Sequence, residues 1–123
     1  RAGLPRRQLD VAQAGLRAWD DAAITLMKAL RMNPTHPRIL LHLAIVQQER
    51  GEHQQALQAL QQAAGLQPNL PELWLNKGYS LDALGRQSDA DQAFRRFLEL
   101  ADGRPELARL RNWAEKRVGG ARQ

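Results

Sequence analysis

Three histidines, His36, His42 and His53, two serines, Ser80 and Ser88, and the acidic pair Asp20–Asp21 are the side chains best equipped for chemistry. Their spacing argues against it. The histidines have no i, i+4 partner and no Cys or Asp arrangement that would converge on a metal. Neither serine sits in a Gly-x-Ser-x-Gly turn, so no strained nucleophile elbow is encoded. The Asp pair precedes an apolar helical pattern, where carboxylates satisfy free N–H groups and suit the helix dipole, so capping accounts for it better than acid–base work. There is no cysteine, which removes disulfides, thiolate catalysis and cysteine-ligated zinc. The glycines are hairpin and helix breaks, and no phosphate-cradling loop is present. The expectation is a chain that is not an enzyme and uses no cofactor and no metal.

Charge narrows the partners. The net charge is +5, and 15 of the 18 basic residues are arginine. Arg104, Arg109, Arg111, Lys116, Arg117 and Arg122 make a basic C-terminal end that could neutralise phosphates. Asp102, Glu106 and Glu115 interrupt it, however, and no aromatic platform for base stacking accompanies it. Nucleic acid is therefore disfavoured. Membrane insertion is disfavoured too: the longest apolar stretch, Ile39 to Val46, is interrupted by His42 and falls far short of the ~20 residues a spanning helix needs. The absence of cysteine fits either a cytoplasmic or a periplasmic protein. An Arg- and Ala-rich, Lys-poor composition suggests a bacterial source, and the start at Arg1 reads as a mature or truncated piece of something longer.

The elements that carry these side chains are helices in a repeat. Shifting the chain by 34 residues lays Pro37 on Pro71 and Pro105, Gly51 on Gly85, Ala22 on Ala56 and Ala90, and Pro34 on Pro68. A fixed period of this size is the mark of a solenoid built from one supersecondary unit. A weak helix is expected from Pro5 to Leu16, broken over Gly15 to Trp19. A second opens at Asp20–Asp21 and ends at Asn33–Pro34. Further helices are expected from Pro37 to the stop at Gly51, from about Gln54 to Leu66, and from Glu72 to Leu84. The last two run from a Ser88 or Asp89 cap to about Ala101 and from Glu106 to about Arg117, with residues 118–123 frayed. Links of about three residues make each pair an antiparallel hairpin.

These residues resemble the tetratricopeptide repeat, TPR. Its signature of bulky, Leu and small residues in the first helix, then Ala, aromatic, Ala and Pro, falls at Leu40, Leu43, Ala44, Ala56, Leu60, Ala63 and Pro68. In the next unit it falls at Trp74, Lys77, Gly78, Ala90, Phe94, Phe97 and Asp102, where Lys77 and Phe97 depart from the pattern. The N-terminal unit keeps Ala22, Leu26, Ala29 and Pro34, but Arg6, Leu9 and Asp10 replace its first-helix signature. The resemblance implies an all-α superhelix of about three TPR helix-turn-helix repeats in one domain over 1–123. Residues 3–36 form a degenerate repeat, 37–70 and 71–104 the clear ones, and a capping helix follows over 105–118.

In this family the concave face, built from first helices, holds a peptide or partner helix. The resemblance places there Arg38, Leu41, His42, Ile45, Gln48 and Glu49 from one unit, and Glu72, Leu75, Asn76, Tyr79 and Asp82 from the next. Leu41, Ile45, Leu75 and Tyr79 are apolar where the core does not require it, which points to an interaction patch. A carboxylate clamp of the chaperone-adaptor kind uses Lys and Asn groups at places that here hold Arg7, Val11, His42, Glu72 and Asn76, and Val11 and Glu72 are wrong in kind for the positive charge it needs. Only Arg7 supplies it, so that clamp is not expected. The expected function is a protein-interaction scaffold in a bacterial multiprotein assembly. The alternatives are a self-associating module, using Leu9 or Trp19 at the open N-terminal end, and a regulatory domain attached to an enzyme in a longer chain.

Overall fold

The computed structural model describes the backbone of residues 6–121 and side chains from 18 to 119, all of it helix and turn. Six α-helices follow one another: α1 (Arg6–Met32), α2 (Pro37–Glu49), α3 (His53–Leu66), α4 (Pro71–Ala83), α5 (Gln87–Ala101) and α6 (Ala108–Ala121), the last entered through a 3₁₀ turn at Pro105–Leu107. Proline opens α2, α4 and the 3₁₀ turn, where its missing N–H has no intrahelical acceptor to lose. His36 caps α2, its Nδ1 accepting from the Ile39 amide at 3.4 Å.

The hairpin turns are chemically alike. Gly51 and Gly85 hold φ of +80° and +78°, a left-handed geometry that glycine adopts without steric cost. In each, the residue after glycine donates back across the turn, Glu52 to the Gln47 carbonyl at 2.8 Å and Arg86 to the Leu81 carbonyl at 2.9 Å. This closes the helix ends in Schellman fashion.

Two hydrophobic clusters fill the stack. One gathers Leu40, Leu41, Ala44, Ala56, Leu60, Ala63, Leu70 and Leu73; the other gathers Leu75, Leu81, Ala90, Phe94, Phe97, Leu107, Ala114 and Val118. Small residues make the close approaches. A Cβ built at Gly78 would lie 2.4–2.6 Å from three atoms of the Phe94 ring. Large-against-small pairing of this kind is what the repeat signature encodes. Phe97 is fully buried, so the aromatic takes the place of the signature's small residue within the core.

Three features differ from the sequence-based expectation. The break over Gly15 to Trp19 is absent, and α1 is one helix of 27 residues. An internal Gly costs a helix only ~1 kcal/mol, and with no proline between Arg6 and Met32 nothing forces a stop. Asp20 and Asp21 thus lie mid-helix, and Asp20 meets Arg50 at 3.0 Å instead of capping. At α5 the N-cap is Arg86, not Ser88 or Asp89; the Asp89 carboxylate is taken by the Arg86 guanidinium at 2.8 Å. At the C-terminus, Val118 is buried within α6 and not frayed.

Candidate functional site

The first helices of the two clear repeats, α2 and α4, lie side by side and are tied by polar contacts. Gln48 donates its amide to the Asn76 carbonyl and to Ser80 Oγ, both at 2.8 Å, and His53 Nδ1 lies 3.5 Å from the same hydroxyl. Ser80 is fully buried, so these bonds satisfy a hydroxyl that would otherwise be costly to bury. Arg38 reaches Glu72 at 3.6 Å further along the same pair of helices. The Asn76 side chain is turned back to the Glu72 carbonyl, 2.8 Å away.

This closeness changes the expected face. Leu41 and Leu75 are 3% and 4% exposed, members of the two core clusters and not open groove residues. Packing of the neighbouring helices covers them, which a single-helix wheel does not reveal. Ile45 and Tyr79, by contrast, remain half-buried, and His42, Arg38 and Glu49 are exposed. Asp82 is not available as a free polar contact: Arg117 of α6 donates through Nε to Asp82 Oδ2 at 3.0 Å and through Nη1 to Asp91 Oδ1 at 2.7 Å. The bond to Asp82, and then that to Asp91, raise the Arg117 pKa above its ordinary value.

Trp113 lies on the capping helix α6. It is 41% exposed, yet its ring packs edge-on against both Tyr79 and Phe94, with centroids 5.2 Å apart in each case. Tyr79 in turn meets Phe94 at 6.0 Å, and partial burial raises the phenol's pKa. The available signal was the period itself: Ile45, Tyr79 and Trp113 are spaced 34 residues apart. Equivalent positions on α2, α4 and α6 thus carry one partly exposed apolar side chain each.

Among the described residues no group of three His, Asp or Glu side chains could hold a metal ion, and no helix is long and apolar enough to cross a membrane. The basic end is largely paired: Arg104 with Glu106 at 2.9 Å, Arg111 with Asp102 at 3.7 Å, and Arg117 as above. Arg7, Val11, Leu9 and Arg122 lie outside the residues whose side chains are described.

No curated protein sequence matches the chain. Several solved structures share its shape. The Yersinia enterocolitica type III secretion chaperone SycD, in complex with a peptide of the translocator YopD, is 17% identical with a TM-score of 0.83, the match covering 94% of this chain and 88% of that one. PcrH in complex with the chaperone binding region of PopD is 23% identical with a TM-score of 0.80, over 98% and 95% of the two chains. A type III secretion complex from Aeromonas hydrophila is 22% identical with a TM-score of 0.80, over 94% and 77%. At this identity they establish a shared fold. In sequence, residues 25–58 and 71–103 each match tetratricopeptide repeat profiles, the second coinciding within a residue with the unit read from the period. Together they span more than half of the chain, which therefore belongs to the tetratricopeptide repeat family.

Proposed function

We propose that this chain is a protein-interaction scaffold that holds a segment of a protein partner across the face formed by α2, α4 and α6. The observation that carries this reading is the row Ile45, Tyr79 and Trp113, partly exposed apolar side chains at one repeat position in three successive helices. A row of this kind offers successive pockets to alternate side chains of a bound segment. Exposed Arg38, His42 and Glu49, with half-buried Glu72 and Asn76, border it and would orient the polar groups of the segment. Gln48 and Asp82, already bonded within the chain, would set the shape of the face. Leu41 and Leu75 support it from beneath. The likeness to chaperones solved with translocator segments supports a peptide ligand, and we extend it to a place in a bacterial multiprotein assembly with no catalytic role.

The test uses random peptides displayed on phage and selected on the wild-type chain, each then synthesised and its affinity measured by fluorescence anisotropy. The variant combines His42→Glu with Ile45→Arg, because Tyr79→Arg would also dismantle the aromatic cluster. Selected peptides should bind the variant at least ~10-fold more weakly, a loss of ~1.4 kcal/mol, with the circular dichroism spectrum unchanged. Undiminished affinity would overturn the assignment of this face.

A further inference from the structure

A second site lies away from that face, between α3, α4 and α5. There a cavity of about 280 Å³ is walled by Trp74, Lys77, Gln61 and Gln92, with the Arg86–Asp89 pair at its rim. Its polar character follows two departures from the preceding repeat. Lys77 stands where the preceding unit has Leu43, 34 residues earlier, and Leu43 is buried at 7% exposure. Met27 and Leu43, which occupy the positions of Gln61 and Lys77 one repeat earlier, line a different hollow together with Leu30, Arg31 and Pro34, and its surface is almost wholly apolar. One repeat later Met27 becomes Gln61 and Leu43 becomes Lys77. At these two positions apolar side chains give way to a cation and a carboxamide.

The cation is held in place and lacks a charge partner. Lys77 Nζ sits 5.0 Å from the centre of the Trp74 ring, a cation–π arrangement, and the indole is itself fixed by a 2.8 Å bond to the Pro68 carbonyl. Among the described residues no carboxylate lies within ion-pairing distance of Lys77, whereas Arg86 is neutralised by Asp89 at 2.8 Å. The site therefore carries one net positive charge, flanked by two carboxamides able to donate hydrogen bonds. That single charge suits a monoanion.

We propose that this cavity binds a carboxylate, supplied by an acidic side chain, by a peptide C-terminus or by a small free acid. The ammonium of Lys77 pairs with it, and the Gln61 and Gln92 amides complete its hydrogen bonding. The site is independent of the peptide face, since no residue is shared between them.

The test follows the Trp74 indole N–H signal by ¹⁵N NMR in the whole chain while four probes are added. These are acetyl-Ala-Glu-Ala-amide, acetyl-Ala-Ala with a free C-terminus, sodium glutarate, and acetyl-Ala-Gln-Ala-amide as the neutral control. Inorganic phosphate is titrated separately. Saturable shifts with at least one carboxylate probe and none with the glutamine peptide are expected, and the tightest of the three identifies the source. Lys77→Met, which restores the apolar character of Leu43, and Lys77→Gln, which keeps a polar group, should each weaken binding at least tenfold. The proposal is overturned if no carboxylate probe saturates, if phosphate binds more tightly, or if a folded Lys77 variant binds as the wild type does.

Discussion

Replacing Gly78 by alanine probes the closest packing in the molecule. The added methyl would lie 2.4, 2.6 and 2.6 Å from Phe94 ring atoms, about 1 Å inside ordinary contact distance. The ring cannot yield freely: Phe94 is fully buried and is flanked by Tyr79 and Trp113. Overpacking of a filled core costs up to ~3 kcal/mol. Alanine returns ~1 kcal/mol through its better helix propensity. The balance is a loss of ~2 kcal/mol, or ~30-fold in the folding equilibrium. Urea unfolding followed by circular dichroism should show the midpoint falling by ~1 M at a slope typical of a small domain. Gly65→Ala is the internal control, because a methyl there meets nothing within 4 Å, and it should hold or raise the midpoint. A Gly78→Ala protein at least as stable as the wild type would refute the inference that α4 and α5 need a bare backbone at this point.

The remaining expectations concern the last repeat and its cap. Arg117→Ala leaves Asp82 and Asp91 without their shared guanidinium, all three side chains being less than a third exposed. A loss of ~1–2 kcal/mol should appear as faster amide hydrogen exchange confined to α6 and its contacts, and uniform exchange changes would argue against a local clamp. Tyr79 is the sole tyrosine, so its ionisation can be followed by ultraviolet absorbance. Its midpoint should lie above the ordinary 10.0 because burial disfavours the phenolate. The sign follows directly: a raised folded pKa means stability fully present below pH ~10 and lost as the pH climbs through the folded value. A midpoint at or below 10.0 would contradict the burial.

Much of this architecture is legible in the residues themselves. The 34-residue spacing of the prolines and of Gly51 and Gly85 reports turns that the backbone needs wherever they occur, so local chemistry suffices to find them. The small residues Ala44 and Gly78 and the large residues Leu60 and Phe94 are legible for the same reason, since small and large residues must alternate where helices touch. The unbroken α1 is not legible, because a mid-helix Asp and a capping Asp look the same until Arg50 is known to lie 3.0 Å from Asp20. Leu41 and Leu75 fail for a related reason. Whether an apolar residue on a first helix is open or covered depends on how the neighbouring helices pack over it, which its place in the repeat does not reveal. Trp113 shows the converse, an apolar residue left partly uncovered because Tyr79 and Phe94 already fill the space behind it.

The Arg117 clamp has a mechanical meaning. A stack of helix pairs is a spring, and its compliance depends on what must break when neighbouring pairs rotate. Arg117 grips Asp82 on α4 and Asp91 on α5 at once, so the cap cannot follow one helix of that hairpin without straining against the other. With three edge-on aromatic contacts at the same junction, the C-terminal coil is the stiff end. At the other end, among the described residues, Asp20 of α1 pairs with Arg50 at the first hairpin turn, beside the exposed side chains of Ile24, Met27 and Met32. A partner that bends the coil would work against the Arg117 clamp, because α4, α5 and α6 must then move together.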